Sequence, residues 1–195
     1  MMQIRIATKN IGKLREFSTF FQGTTIELVA IHELRDDYVI EDGLSFRANA
    51  IKKAESVSRL LNEPSLADDS GLCIRALHNY PGVYSARFAG HKTDYSIKND
   101  LIIRTMKYKK DRRAAYVCAL AFACPGKPTV VFESEWEGTI SETPLGENGF
   151  GYDPIFYLPM ERKSAAELTL DYKNKISHRA QAAQLFLKWY QEQSL

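Results

Sequence analysis

Hydrophobic and polar positions alternate at once in Ile4-Arg5-Ile6-Ala7, which predicts a short strand, and the period then lengthens. Leu14, Phe17, Phe20 and Phe21 recur at helical spacing, so Thr8 to Lys13 is a strand-to-helix turn facing a helix N-terminus. A second amphipathic helix is expected over 44–61, with Phe46, Ala50, Ala54, Val57 and Leu61 on its apolar stripe and Asn62-Glu63-Pro64 ending it. A third covers 95–106, with Leu101, Ile102 and Met106 inward, followed by a basic connection from Lys107 to Arg113. Ala115 to Cys124 is continuously apolar, Pro128 to Trp136 is rich in β-formers, and Pro125-Gly126-Lys127 lies between them, so the pair reads as a hairpin at the centre of a mixed sheet. A last helix runs from about Ser177 to Gln191 with Ala182, Leu185, Phe186 and Trp189 buried. No repeat, linker or low-complexity tract interrupts the series.

With 45% hydrophobic and 26% charged residues in 195, the chain is long enough for one substantial core. Lys and Arg outnumber Asp and Glu by only 26 to 24, which leaves no global field to attract nucleic acid or an anionic membrane, so any anion site is local. Cys73, Cys118 and Cys124 are too few and too scattered for a disulfide framework or a zinc site. No apolar run approaches a membrane span, and Met1 to Thr8 enters a strand pattern without a signal-like region, so a cytoplasmic protein is expected.

Four segments concentrate chemistry. In Leu66-Ala67-Asp68-Asp69-Ser70-Gly71, two adjacent carboxylates close an apolar segment. Asp disfavours strand and helix interiors, so the doublet reads either as a solvated Asx-turn or as a rim whose charge is offset by a divalent cation or fixed donors. Thr8-Lys9-Asn10-Ile11-Gly12-Lys13 combines backbone donors at a helix start with a hydroxyl, an amide and two lysines, a set suited to phosphate oxygens. The alternative is that Thr8 or Asn10 merely caps the helix. Lys53 is a third cationic contact or a solvent-facing residue, and Glu41-Asp42 either favours the second helix's dipole or shares a metal with Asp69. Magnesium suits such oxygen-only ligands, because it takes one or two protein carboxylates together with substrate phosphates. Gly146-Glu147-Asn148-Gly149-Phe150-Gly151-Tyr152-Asp153-Pro154 lets backbone approach a flat ligand while Phe150 or Tyr152 offers a stacking face, unless it is a hairpin turn whose aromatics pack into the core. Lys173, Ser177, His178 and Arg179 gather near a helix start, where cations oppose the dipole unless they have partners.

Taken together and in order, Thr8–Lys13, Ala67–Leu72, Pro81-Gly82-Val83-Tyr84-Ser85-Ala86-Arg87-Phe88-Ala89-Gly90, Phe150-Gly151-Tyr152-Asp153-Pro154-Ile155-Phe156 and Ser177-His178-Arg179 resemble the Ham1-like inosine triphosphate pyrophosphatase family, also called XTP/dITP diphosphatases. The likeness covers nearly the full length. It implies an α/β fold with an elongated mixed sheet and flanking helices, a single domain of two lobes around a central cleft, a homodimer, and Mg2+-dependent hydrolysis of ITP, dITP and XTP to the monophosphate and pyrophosphate. Carried over residue by residue, the resemblance gives the triphosphate to Thr8, Asn10, Gly12 and Lys13 with Lys53 assisting. Asp69 becomes the general base and, with Glu41, a metal ligand, while Ser70 supports substrate. Phe150, Gly151, Tyr152 and Asp153 form the base pocket with Lys173, His178 and Arg179, the last two reading the purine 6-oxo group. Tyr84, Ser85 and Arg87 go to structure or dimer packing. Two departures stand out: Lys9 occupies a position typically held by glycine, and Ala48 one often held by glutamate. The rival functions are a related pyrophosphatase acting on modified pyrimidine nucleotides and a catalytically silent nucleotide sensor.

Overall fold

A computed structural model of the chain describes residues 2–31, 39 and 42–193. Glu41 lies outside the described residues. Eight strands are present among them: β1 (Met2–Ile6), β2 (Ile26–Ala30), β3 (Ser65–Ile74), β4 (Tyr80–Pro81), β5 (Arg113–Ala123), β6 (Val130–Ile140), β7 (Phe156–Leu158) and β8 (Lys163–Ser164). Five α-helices accompany them: α1 (Ile11–Phe21), α2 (Phe46–Leu61), α3 (Tyr95–Met106), α4 (Leu170–Ile176) and α5 (His178–Gln193). The strands pair in the order β2-β1-β3-β5-β6-β7-β8, with β4 on β3. The sheet is mixed, since β1 is parallel to both β2 and β3 whereas β7 is antiparallel to β6 and β8.

The chain divides into two compact units, one of Met1–Asp69, Cys118–Ser134 and His178–Leu195, the other of Ser70–Val117 and Glu135–Ser177. In the first, strand periodicity sorts the core into two kinds of packing, because successive side chains leave opposite faces of a sheet. Ile4, Ile6, Leu66, Cys118, Leu120 and Phe122 share a core with Phe17 and Phe21 of α1 and Ala182, Ala183 and Phe186 of α5. The intervening positions Ala7, Ala67, Ala119, Ala121 and Ala123 meet Ala50, Ala54 and Val57 of α2. One face is therefore filled by large rings and the other by methyl groups, which lets α2 pack closely on the strands.

The second unit has its own core, in which Leu72, Ile74, Ile102, Met106, Tyr116, Trp136, Tyr152, Ile155 and Phe156 cluster. Tyr116 lies between Trp136 and Phe156, with ring centroids 6.3 and 4.5 Å away. Gly71 is required here, because a Cβ at that position would sit 2.4 Å from Ser85 Oγ. That hydroxyl accepts from Leu72 N at 2.9 Å and donates to Gly82 O at 2.6 Å.

Most expected elements are present with shifted ends. Helix α2 starts at Phe46 behind the Ser45 N-cap, whose Oγ accepts from Ala48 N, and it closes on Asn62 in the left-handed conformation. Three side chains expected to be inward are not: Leu61 and Leu101 are each 37% and Leu185 46% exposed. In α3 Lys98 and Asn99 are buried instead of Leu101, and in α5 Ala183 is buried instead of Leu185. β7, β8 and α4 were not expected, being too short to show a period. The largest correction concerns the acidic doublet, which lies in the interior of the ten-residue β3 rather than in a turn or at a rim.

Candidate active site

Because β3 alternates, Asp68 and Asp69 cannot act as a pair: Asp68 follows Leu66 onto the α1/α5 face, and Asp69 follows Ala67 onto the α2 face. Asp68 is 1% exposed. Its Oδ2 lies 2.8 Å from Lys13 Nζ and accepts from Arg179 Nε at 3.4 Å. Burial alone pushes this carboxyl up, but Lys13, Arg179 and Lys53 outweigh it and hold the group well below the ordinary carboxylate range. Arg179 Nη1 donates in turn to Glu16 Oε2 at 2.8 Å. Burial opposes the guanidinium's charge, yet Glu16 and Asp68 raise its already high pKa further.

Glu16 is the residue that sequence reasoning missed here. It is 1% exposed on the helical stripe that also carries Phe17, one turn from Lys13. A charged residue on the core stripe of an otherwise amphipathic helix was the available signal.

On the other face, Asp69 Oδ2 accepts from Asn49 Nδ2 at 3.1 Å, and its Oδ1 lies 3.3 Å from Lys53 Nζ. Asn49 and Lys53 are one turn apart on α2 and both are buried. Asn49 Oδ1 meanwhile accepts from Gly43 N at 2.8 Å, so one amide fixes both the approach to α2 and the orientation of Asp69. A Cβ on Gly43 would meet that oxygen at 2.5 Å. Ser70, next in the strand, is half-buried.

The turn before α1 is built from its own side chains. Thr8 Oγ1 accepts from Asn10 N at 3.2 Å, and Asn10 is the N-cap, its Oδ1 accepting from Lys13 N at 3.1 Å. The capping role of Asn10 is thus real, while in the first turn of α1 Ile11 is exposed and Gly12 half-buried. Lys9 is exposed and is not among the residues with positive φ, so the lysine in place of glycine imposes no left-handed strain.

In the second unit, Asp153 collects three donors: Phe150 N at 2.9 Å and Lys173 Nζ at 2.5 Å on Oδ2, and Tyr116 Oη at 3.2 Å on Oδ1. Gly149 and Gly151 both have positive φ, +74° and +72°, and a Cβ on Gly149 would collide with Asp153 Oδ2 at 2.1 Å. Lys173 Nζ lies 5.0 Å from the Phe150 ring centroid. Tyr152 offers no stacking face: it is 3% exposed, its hydroxyl donates to Ser85 O at 2.7 Å, and it belongs to the core cluster. Half-buried Phe150 is the aromatic left to meet a flat ligand. Lys173 does not begin the last helix as expected but lies in the closing turn of α4, where a cation favours the dipole. His178 opens α5, buried, with its carbonyl accepting from Ser134 Oγ at 2.6 Å. Tyr116 was missed because its period placed it in an apolar run, although a buried tyrosine needs a polar partner.

Cysteine chemistry has no foothold in this arrangement. Burial pushes Cys73 up to about 11, and Cys118, beside Asp68, is raised further by burial, so neither thiol is a ready nucleophile. Among the described residues no group of three His, Cys, Asp or Glu side chains gathers to hold a metal.

The first unit thus carries oriented carboxylates and a lysine at a helix start, and the second an aromatic loop on positive-φ glycines. The Ham1 family matches residues 4–189, and the chain belongs to it. A dITP/XTP pyrophosphatase of Geobacillus kaustophilus (strain HTA426) is 46% identical over 185 residues, 93% of this chain and 91% of that protein. One of Bacillus anthracis is 46% identical over 188 residues, 93% of each chain. Among solved structures, the Staphylococcus aureus Ham1 protein superposes with a TM-score of 0.88 at 38% identity, covering 98% of this chain and 99% of that one.

The two aspartates should separate in stability measurements. Asp68→Asn removes a carboxylate that both Lys13 Nζ and Arg179 meet, and it should cost about 3 kcal/mol in denaturant unfolding at neutral pH. Because the folded-state pKa of Asp68 is depressed, the stabilisation is fully present above the unfolded value and is lost as pH falls toward the folded one. The gap between wild type and variant should therefore be constant above about pH 5 and shrink below about pH 4. An equal gap at every pH would show that Asp68 is not held charged.

Proposed function

We propose that the chain hydrolyses non-standard purine nucleoside triphosphates, ITP, dITP and XTP, to the monophosphate and pyrophosphate. The observation that carries this reading is the orientation of Asp69: its carboxylate is aimed by Asn49 and Lys53 while its neighbour Asp68 ties Lys13 of the α1 turn to the same strand. The names of relatives sharing 46% of their residues with this chain agree with it.

In the reaction, the oxygen of water bonds to phosphorus, the anhydride oxygen between the α and β phosphates leaves with pyrophosphate, and Asp69 takes the water's proton. Asn49 keeps one Asp69 oxygen directed and Lys53 lies at the other, so the base is presented in one orientation. Thr8, Asn10, Gly12 and Lys13 receive phosphate oxygens at the start of α1, where helix dipole and lysine charge act together. Ser70 supports substrate beside the base.

A divalent ion, Mg2+ by its preference for oxygen, fits the Asp69 carboxylate, which leaves most of the coordination to phosphates and water; Glu41, outside the described residues, is the second ligand that the resemblance implies. Bound there, it would neutralise charge on the phosphates.

For the base, the reading assigns Phe150 the stacking face, Gly151 the close backbone approach, and Tyr152 and Asp153 the anchoring of the loop. Lys173 adds a cation beside the ring. His178 and Arg179 read the 6-oxo group, since a donor-only guanidinium satisfies hypoxanthine or xanthine and not the amino group of adenine. A second copy of this chain is the expected partner, for which the exposed Tyr80 and Tyr84 rings, 46% and 45% accessible, are suitable surface. The working unit is a single two-lobed domain in the cytoplasm, and no helix among the described residues is long and apolar enough to cross a membrane.

Incubation with a panel of nucleotides and Mg2+ tests the whole reading. Pyrophosphate should appear with ITP or XTP, strictly dependent on the metal. Orthophosphate as first product would move the attack to the γ position, preference for a modified pyrimidine triphosphate would favour the first rival, and tight binding without turnover would favour the sensor.

Asp69→Asn should lower kcat by ~100-fold or more with the melting temperature nearly unchanged, because the amide keeps the shape and removes both base and metal charge. Near-wild-type turnover would remove Asp69 from the chemistry.

Arg179→Ala should reduce kcat/KM for ITP more than for ATP. A fall by the same factor for both nucleotides would make Arg179 an organiser of Asp68 and Glu16 alone.

A further inference from the structure

The centre of the Gly149–Asp153 loop is held from outside, by α3. Asn99 Nδ2 donates to the Gly151 carbonyl at 3.2 Å. Tyr95, one turn earlier on the same helical face, meets Tyr152 edge to face with centroids 5.2 Å apart. Its ring also lies against Gly151, where an added Cβ would stand 3.6 Å from it. The ring is itself backed by Lys98, whose Nζ lies 4.8 Å from its centroid and donates to Ala86 O at 2.8 Å.

Two features make Asn99 costly as mere packing. It is 4% exposed, and its Oδ1 accepts no hydrogen bond among the described residues, so half of a buried amide's capacity goes unused. A leucine would suit a buried helical position better. What the amide supplies is the bond to Gly151, and Gly151 is where such a tie matters. At φ +72° it is in a conformation that glycine enters readily but does not hold by itself, having the widest free range of any residue. Because Tyr152 on the far side of that peptide is anchored in the core, a rotation at Gly151 would be taken up on the Phe150 side of the loop.

We propose that Asn99 is a positioning residue for the base site: by fixing the Gly151 carbonyl against the Tyr95 ring, it sets the direction of Phe150. This rests on the reading that the loop receives the purine ring.

The test is steady-state hydrolysis of ITP with Mg2+ by Asn99→Ala, Asn99→Asp and Phe150→Ala, alone and as the Phe150→Ala/Asn99→Ala double variant. Asn99→Asp is nearly isosteric and lacks the N–H donor, so it decides the matter if the alanine variant does not fold. Both Asn99 variants should raise KM by about 5-fold or more, the value of one lost hydrogen bond, with kcat changed by less than about 2-fold. The double variant should be little worse than Phe150→Ala, since Asn99 acts through the loop. Unchanged KM in the Asn99 variants, or kcat falling with the folded fraction at constant KM, overturns the positioning role. If Phe150→Ala raises KM while the Asn99 variants do not, the base reading stands without this proposal. If Phe150→Ala leaves KM unchanged, both fall.

Discussion

A carboxylate in the middle of a β-strand at 1% exposure is tolerable only if cations are brought to it, and in the first unit that requirement is met by the helices. Asp68 takes Lys13 from the first turn of α1 and Arg179 from the first turn of α5, and Arg179 takes Glu16 from α1. Two helix starts and one strand are thereby joined through charge as well as through the Phe17, Phe21 and Phe186 packing beside it. Because a buried network of this kind is strongly unfavourable when half satisfied, it restricts the register of β3 as well. A slip of one residue would turn Asp68 toward the alanine face and Asp69 toward the aromatic one.

That register separates the tasks of two adjacent residues of the same type. Asp68 has its charge consumed by protein cations, whereas Asp69 meets an amide and a lysine of α2. The alanines at 67, 119, 121 and 123 belong to the same device, since they allow α2 to approach closely enough for Asn49 and Lys53 to reach the strand. Large side chains on that face would push the helix away and take both donors with it.

The periodic segments were legible in the sequence because a period needs only length: α1, α2, α3, α5 and the β5–β6 pair all carry ten or more residues. Three-residue β7, two-residue β8 and seven-residue α4 are set by their neighbours and left no period to read. Among site residues, the chemical types were visible but their partners were not. Asp68-Asp69 stood out as a doublet, yet the alternation that sends them apart required knowing that the doublet is strand, against its composition. Lys173 appeared misplaced at a helix start until α4 separated it from α5. Glu16 and Tyr116 were hidden because each sits on an element whose period announced core, and a lone polar side chain on such a face reads as noise until its partner in a distant part of the chain is known.

Asp153 repeats in the second unit the physics of Asp68 in the first. It too is buried, at 2%, and it too is answered from within the protein, by Lys173, the Tyr116 hydroxyl and the Phe150 amide. The consequence is that the most deeply buried acids of the motifs are anchors. Asp68 holds the Lys13 side chain in the first turn of α1 and Asp153 holds the loop from Gly149, each by using up its own charge. In the proposed reading, a ligand's phosphates therefore meet lysines and amides already oriented by a buried carboxylate, which reduces the ordering left to be done on binding. Such anchors lose more when truncated than the groups they orient, because removal leaves buried cations behind. On the proposed reading, the residue whose loss most damages folding and the one whose loss most damages chemistry are neighbours in sequence, told apart by the face of the sheet on which they stand.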